Sequence, residues 1–300
     1  MRAVRLAGKV ASKSESSGGD DMQYETSTGG AVRSGGAVAM REAWERLIVG
    51  PPDADRSVLL LPGGACAARS YDLVMAEPAL SGVRLVATTL PGMAGAPLTA
   101  DVSVPGLARK AGELAEEYRC DVVVGFSHGA TVALEMVLSG HFQGPVVLLG
   151  ISLSSEDDAA FFRAAVRLSQ RVGRWPMATL FRLLPLMFRS AKTTDAHKRD
   201  LIEDAKQNKA GESVRVSAEY LDYIAADRDF AGQLAASSIP AWVVHAEKGG
   251  DGGLTDAERA TLEAADNVTL VAVPGSVFLL PDEVPDQTAT VIATALSTLD

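Results

Sequence analysis

Cysteine is scarce in this chain: two residues in 300, Cys66 and Cys120. That excludes a disulfide framework and a zinc site built from several thiolates, and a free-thiol, cytoplasmic protein is the simplest reading. Basic charge is short as well. Twenty-eight Lys and Arg face 38 Asp and Glu, for a formal net charge of −10. This balance argues against a general binder of phosphate backbones, so no nucleic-acid partner is expected. Long apolar runs are missing too. None approaches the ~20 residues that a membrane-spanning helix requires, so no stable membrane insertion is expected. The first forty residues also lack the apolar core of a signal peptide. What is present in quantity is core-forming material: 47% hydrophobic residues can fill one large domain or two small ones without disulfide or metal staples.

Residues 1–39 are rich in Ser, Gly, Lys and Glu and read as a flexible leader with an early strand or two. Beyond them, short apolar runs end at turn residues. Ser57–Leu61 stops at Pro62-Gly63-Gly64, and Val83–Thr88 stops at Leu90-Pro91-Gly92. Asp121–Val124, Gly144–Leu149, Pro240–His245 and Asn267–Val273 complete the set. Continuous apolar runs of this length are the pattern of strands buried on both faces. Helical spacing separates them at Val104–Tyr118, Thr131–Leu138, Thr255–Ala264 and Gln287–Leu296. The alternation predicts an α/β fold: a mostly parallel central sheet flanked by helices. Residues 155–238 break the rhythm. They contain amphipathic segments, such as Met177-Leu180-Phe181-Leu184, and no strand pattern, so a helical insertion is expected there. The core is then formed by residues 40–154 and 239–300.

Gly125-Phe126-Ser127-His128-Gly129 lies between the valine strand at 122–124 and an alanine-rich helix. A G-x-S-x-G sequence in that setting forces the serine onto a sharp strand-to-helix bend, at the positive end of the helix. On these residues the chain resembles the α/β-hydrolase superfamily, from about Val58 to the C-terminus. Leu61-Pro62-Gly63-Gly64-Ala65 resembles the family's oxyanion loop, and Leu90-Pro91-Gly92-Met93-Ala94-Gly95 resembles its loop after the next strand. The resemblance implies that Ser127 is the nucleophile, and that the backbone N–H groups of His128 and of Gly64 or Ala65 hold an oxyanion. It also implies that residues 155–238 form a cap, with the apolar face of the run from Arg174 to Arg189 over the pocket; membrane contact is the alternative for this run, which mixes apolar bulk with Arg174, Arg182 and Arg189. The resemblance implies no metal and no organic cofactor, and the partner it implies is a small-molecule substrate.

The chain departs from the family at the base. Pro274-Gly275-Ser276-Val277-Phe278-Leu279 keeps the frame that carries the family's histidine, but Val277 occupies the histidine's position, and valine cannot accept a proton. No histidine follows His245. His197 in the insertion and His245 at a strand end are the candidates for a relocated base, while His141 reads as a surface residue. Asp251 is the candidate acid, and Glu156, Asp157 and Asp158 are secondary choices. Asp282-Glu283 with Asp286 reads as a solvated turn, and Cys66 as a small buried filler. An intact elbow without its dyad implies a hydrolase-fold enzyme of atypical mechanism, acting on a small, largely apolar ester, lactone or thioester. Two alternatives stand beside it: a cyclase, lyase or isomerase that uses the same pocket without hydrolysis, and a non-catalytic ligand-binding member. Oligomeric state is left open.

Overall fold

A computed structural model describes residues 4–5, 44–154, 160–247 and 253–299. Most of the 1–39 leader therefore lies outside the described residues. Eight strands form one sheet: β1 (Val4–Arg5), β2 (Arg46–Val49), β3 (Ser57–Leu61), β4 (Arg84–Thr88), β5 (Val122–Phe126), β6 (Val146–Leu149), β7 (Ala241–Ala246) and β8 (Val268–Val273). Their spatial order is β1-β8-β7-β6-β5-β3-β4-β2. Among the described strands only β2 runs antiparallel, along the edge of β4.

Each central strand is buried along its whole length, which explains the continuous apolar runs. Successive side chains point to opposite faces, so the sheet organises two cores. One contains Val58, Leu60, Val124, Val147 and Val244, and the other Leu59, Leu61, Val123, Leu148 and Val243. Helices α1 (Asp72–Met75), α2 (Val104–Glu117) and α3 (His128–Leu138) lie in the first half of the chain. Ser103 caps α2 by accepting a hydrogen bond from the Gly106 N–H.

Between β6 and β7 the chain builds α4 (Ala160–Val172), α5 (Trp175–Arg189), α6 (Asp195–Gln207), α7 (Ala210–Ile224) and α8 (Phe230–Ala236). Val166, Met177, Tyr220, Leu221 and Ile224 give this insertion a small core of its own. Fully burying a side chain of this size contributes roughly 1.5–3 kcal/mol. After β7 come α9 (Asp256–Glu263), α10 (Leu280–Glu283) and α11 (Pro285–Ser297). No helix among the described residues is long and apolar enough to cross a membrane. The edge strand β2 and the short α10 are not anticipated by the sequence pattern. In α10, Asp282 is buried rather than part of a solvated turn, and this changes the reading of that segment.

Candidate active site

Strand β5 delivers Ser127 to the carboxyl edge of the sheet, between its end at Phe126 and the start of α3. The backbone of Ser127 is held at φ 49° and ψ −114°, a conformation that costs a non-glycine residue on the order of 1–3 kcal/mol. Its N–H donates to Leu149 O at 2.9 Å, and its carbonyl accepts from Thr131 N at 3.1 Å. The bend is therefore fixed from both sides. Glycine is required two residues to either side of it. A Cβ on Gly125 would collide with Gly129 O and Ala130 Cα, and one on Gly129 would collide with Leu61 O. The Ser127 side chain is half-buried and makes no hydrogen bond among the described residues.

Backbone donors lie close to this bend, where a Cβ on Gly64 would stand 4.0 Å from the His128 Cβ. The His128 N–H opens α3 and has no intrahelical acceptor. The Gly64 N–H likewise has no partner among the described residues. The Ala65 N–H differs: it donates to the Met93 sulfur at 3.3 Å, with Ala65 itself at φ 66°. Of the two loop residues singled out in the sequence, Gly64 offers the unengaged donor. Phe126 packs beneath the loop, 2.8 Å from where a Cβ on Gly63 would stand.

Sequence patterns give no hint of Asn208, at the C-terminal end of α6. Its Nδ2 donates to Ala65 O at 3.0 Å, and its Oδ1 accepts from Ala94 N at 2.9 Å. One side chain thus joins the oxyanion loop, the loop after β4 and the helical insertion. Nearby, Arg69 Nε donates to Asp204 Oδ2 at 2.7 Å, fastening α6 to the short turn before α1.

Among the described residues, no histidine ring hydrogen-bonds the Ser127 hydroxyl. The His128 ring is buried against Tyr220 of α7, with centroids 5.1 Å apart, and burial lowers its pKa to about 4. His141 is exposed at the far end of α3. His197 Nε2 lies 2.8 Å from Asp282 Oδ1 in a pair buried on both sides. Burial pulls this imidazole down, but the Asp282 hydrogen bond and charge, with Asp72 and Asp200, outweigh it and leave the pKa raised. Burial raises Asp282 to about 6, partly offset by His197. His245 lies on the face of β7 that looks towards α9, where its Nε2 is 3.0 Å from Arg259 Nη1. Burial and then the Arg259 charge lower its pKa. Neither candidate for a relocated base forms a bond to Ser127. Val277 is buried in the same apolar cluster as Cys66, Phe126 and Leu279. Asp251 and the secondary acids Glu156, Asp157 and Asp158 lie outside the described residues. No group of His, Cys, Asp and Glu suited to a metal ion occurs among the described residues.

A strained serine between a parallel strand and a helix defines the class of proteins that carry a nucleophile elbow on a parallel α/β sheet. The chain belongs to the alpha/beta hydrolase family, whose sequence profile matches residues 58–291. Among solved structures it is similar to a thermophilic esterase from Thermogutta terrifontis, with 18% identity, a TM-score of 0.64, and coverage of 84% of this chain and 92% of the other. It is also similar to the enol-lactonase from Burkholderia xenovorans LB400, with 15% identity, a TM-score of 0.63, and coverage of 84% and 96%. The epoxide hydrolase CorEH gives 19% identity, a TM-score of 0.63, and coverage of 85% and 95%. At these identities the likeness is one of fold, which does not by itself carry an activity. A search of the curated proteins gives no match.

Proposed function

We propose that this chain is an enzyme of atypical mechanism that captures the carbonyl of a small, largely apolar ester, lactone or thioester at Ser127, beneath a cap formed by the helices between β6 and β7. One observation carries the reading: Ser127 is held at φ 49° on a bend whose Gly64 and His128 N–H groups are free, and among the described residues no imidazole hydrogen-bonds its hydroxyl. The strained bend and the donors are what an attacking hydroxyl and a developing oxyanion require. Phe126, next to Ser127 in the chain, shares a buried apolar cluster with Cys66 and Val277, which favours an apolar acyl group. The esterase and lactonase named above share this fold, which is compatible with the substrate class.

Without an imidazole the serine proton must leave to hydroxide or water. A positioned general base is worth about 10²–10⁴ in rate, so acylation is slow at neutral pH and becomes about tenfold faster with each pH unit. A fluorophosphonate probe should label the wild type and not Ser127→Ala, with a labelling rate that climbs steadily above neutral pH. A plateau near pH 7 would reveal a base and overturn the mechanism. Failure to label at any pH favours the second reading, in which Ser127 donates a hydrogen bond to a polarised carbonyl in cyclase, lyase or isomerase chemistry. The serine hydroxyl, without a hydrogen-bonded proton acceptor among the described residues, is what supports that alternative. Turnover surviving Ser127→Ala would establish it.

A further inference from the structure

Six of the seven large hydrophobic residues exposed among the described residues lie in one region. Leu168 and Val172 are on α4, Trp175, Leu183 and Leu186 are on α5, and Phe278 is in the loop after β8. Leu168 and Val172 are one helical turn apart, Val172 and Trp175 flank the turn between the helices, and Leu183 and Leu186 are spaced to share a face of α5. Lys192 Nζ donates to Ser276 O at 2.8 Å, which ties the end of α5 to the loop that carries Phe278.

The charge of this hairpin is opposite to that of the whole. Between residues 160 and 189 stand Arg163, Arg167, Arg171, Arg174, Arg182 and Arg189, with no Lys, Asp or Glu, in a chain of net charge −10. All but Arg163 are exposed, and these five form no ion pair among the described residues. A helix hairpin with arginines interleaved with exposed Trp and Leu suits an interface where the charges meet phosphates and the apolar groups enter the acyl boundary.

We infer that the α4–α5 hairpin docks the protein peripherally on an anionic lipid surface. Attraction between the arginines and acidic headgroups selects this occupant, and the exposed Trp175, Leu183 and Leu186 supply shallow apolar contact. The hairpin reaches the loop after β8, which borders the edge of the sheet where Ser127 stands, so a docked molecule receives an apolar substrate on the correct side. The docking itself does not depend on the Ser127 chemistry.

The chain has three tryptophans, of which Trp44 and Trp242 are buried and Trp175 is 60% exposed. A lipid-induced blue shift in tryptophan emission therefore reports on Trp175. The full chain is mixed with phosphatidylcholine vesicles with and without phosphatidylserine, and co-sedimentation and emission are recorded. Binding is expected only with phosphatidylserine, with a blue shift absent in Trp175→Phe and weakened by salt. Each arginine near such a surface contributes a factor of about five, so Arg174→Gln with Arg182→Gln should weaken binding roughly 30-fold, with unchanged far-UV circular dichroism confirming the fold. No co-sedimentation, or equal binding to pure phosphatidylcholine, would overturn the inference. So would a concentration-dependent blue shift without lipid, which would assign the face to a second copy of the chain. These readouts do not involve catalysis, so they fail independently of the proposed acyl chemistry.

Discussion

At the scale of single residues, the proposed site is a strained serine hydroxyl with backbone donors, and the family resemblance assigns Val277, an isopropyl group, to the position of the proton acceptor. Val277 is only 5% exposed and packs with Phe126 and Leu279, so an imidazole placed there starts in apolar surroundings. Val277→His should lose on the order of 1–3 kcal/mol of stability through overpacking and burial of a polar ring. It should also speed fluorophosphonate labelling of Ser127 at pH 7 by tenfold or more, and flatten the rise with pH into a plateau. A folded variant that labels no faster than the wild type would show that this side chain does not face the hydroxyl. The elbow is legible in the sequence because its logic is local: two glycines, a serine and the switch from strand to helix lie within five positions. The assignment of Val277 to the histidine's position rests on the Pro274-Gly275 frame, and the labelling of Val277→His is its test. The His197–Asp282 pair is not legible, because its members are 85 residues apart and no periodicity links them. Reading Asp282 as part of a solvated turn fails because a short helix, capped by Glu283 at the Phe278 and Leu279 N–H groups, turns it inward.

At the scale of elements, α6 is the piece that organises the site from outside it. Asn208 at its end and Asp204 within it grip the loops after β3 and β4 and the turn at Arg69. Replacing Asn208 by Ala leaves the Ala65 carbonyl and the Ala94 N–H without partners, at a cost of about 1–3 kcal/mol for each group left buried. Asn208→Ala should therefore melt several degrees lower. It should also label more slowly at Ser127 under conditions where both proteins remain folded, because the loop bearing Gly64 loosens. Asn208→Asp keeps the acceptor for Ala94 and loses the donor to Ala65, so its labelling rate should fall between the two. Equal rates for all three would reduce Asn208 to a helix cap. The parallel strands were readable because burial on both faces writes itself as unbroken apolar runs. The edge strand β2 was not, since Arg46–Val49 is short and only partly buried. Contacts such as those of Asn208 depend on how the insertion settles on the core, which single-sequence patterning does not encode.

At the scale of the whole molecule, the basic hairpin and the buried acidic groups near α1 and α10 make charge a global variable. Asp72 and Asp282 are both raised to about 6, chiefly by burial, and His197 is raised despite its burial. A group that holds its proton more tightly when folded stabilises the protein below its unfolded pKa and loses that contribution as pH rises through the folded value. The two carboxyls therefore withdraw stability between about pH 4 and 6, and His197 withdraws it from about pH 6.5 upward. His128 and His245, whose pKa values are depressed, act oppositely and recover stability as pH rises towards 6.5. Because these trends oppose one another, the wild-type curve alone cannot isolate the buried pair. Asp282→Asn can, since it keeps the shape and removes the titration at a fully buried site. Relative to the wild type, the variant should gain on the order of 2–3 kcal/mol between pH 4 and pH 7 in denaturant unfolding. Parallel stability curves for the two proteins would mean that Asp282 does not hold its proton more tightly when folded, and would leave the buried pair without a part in the pH response.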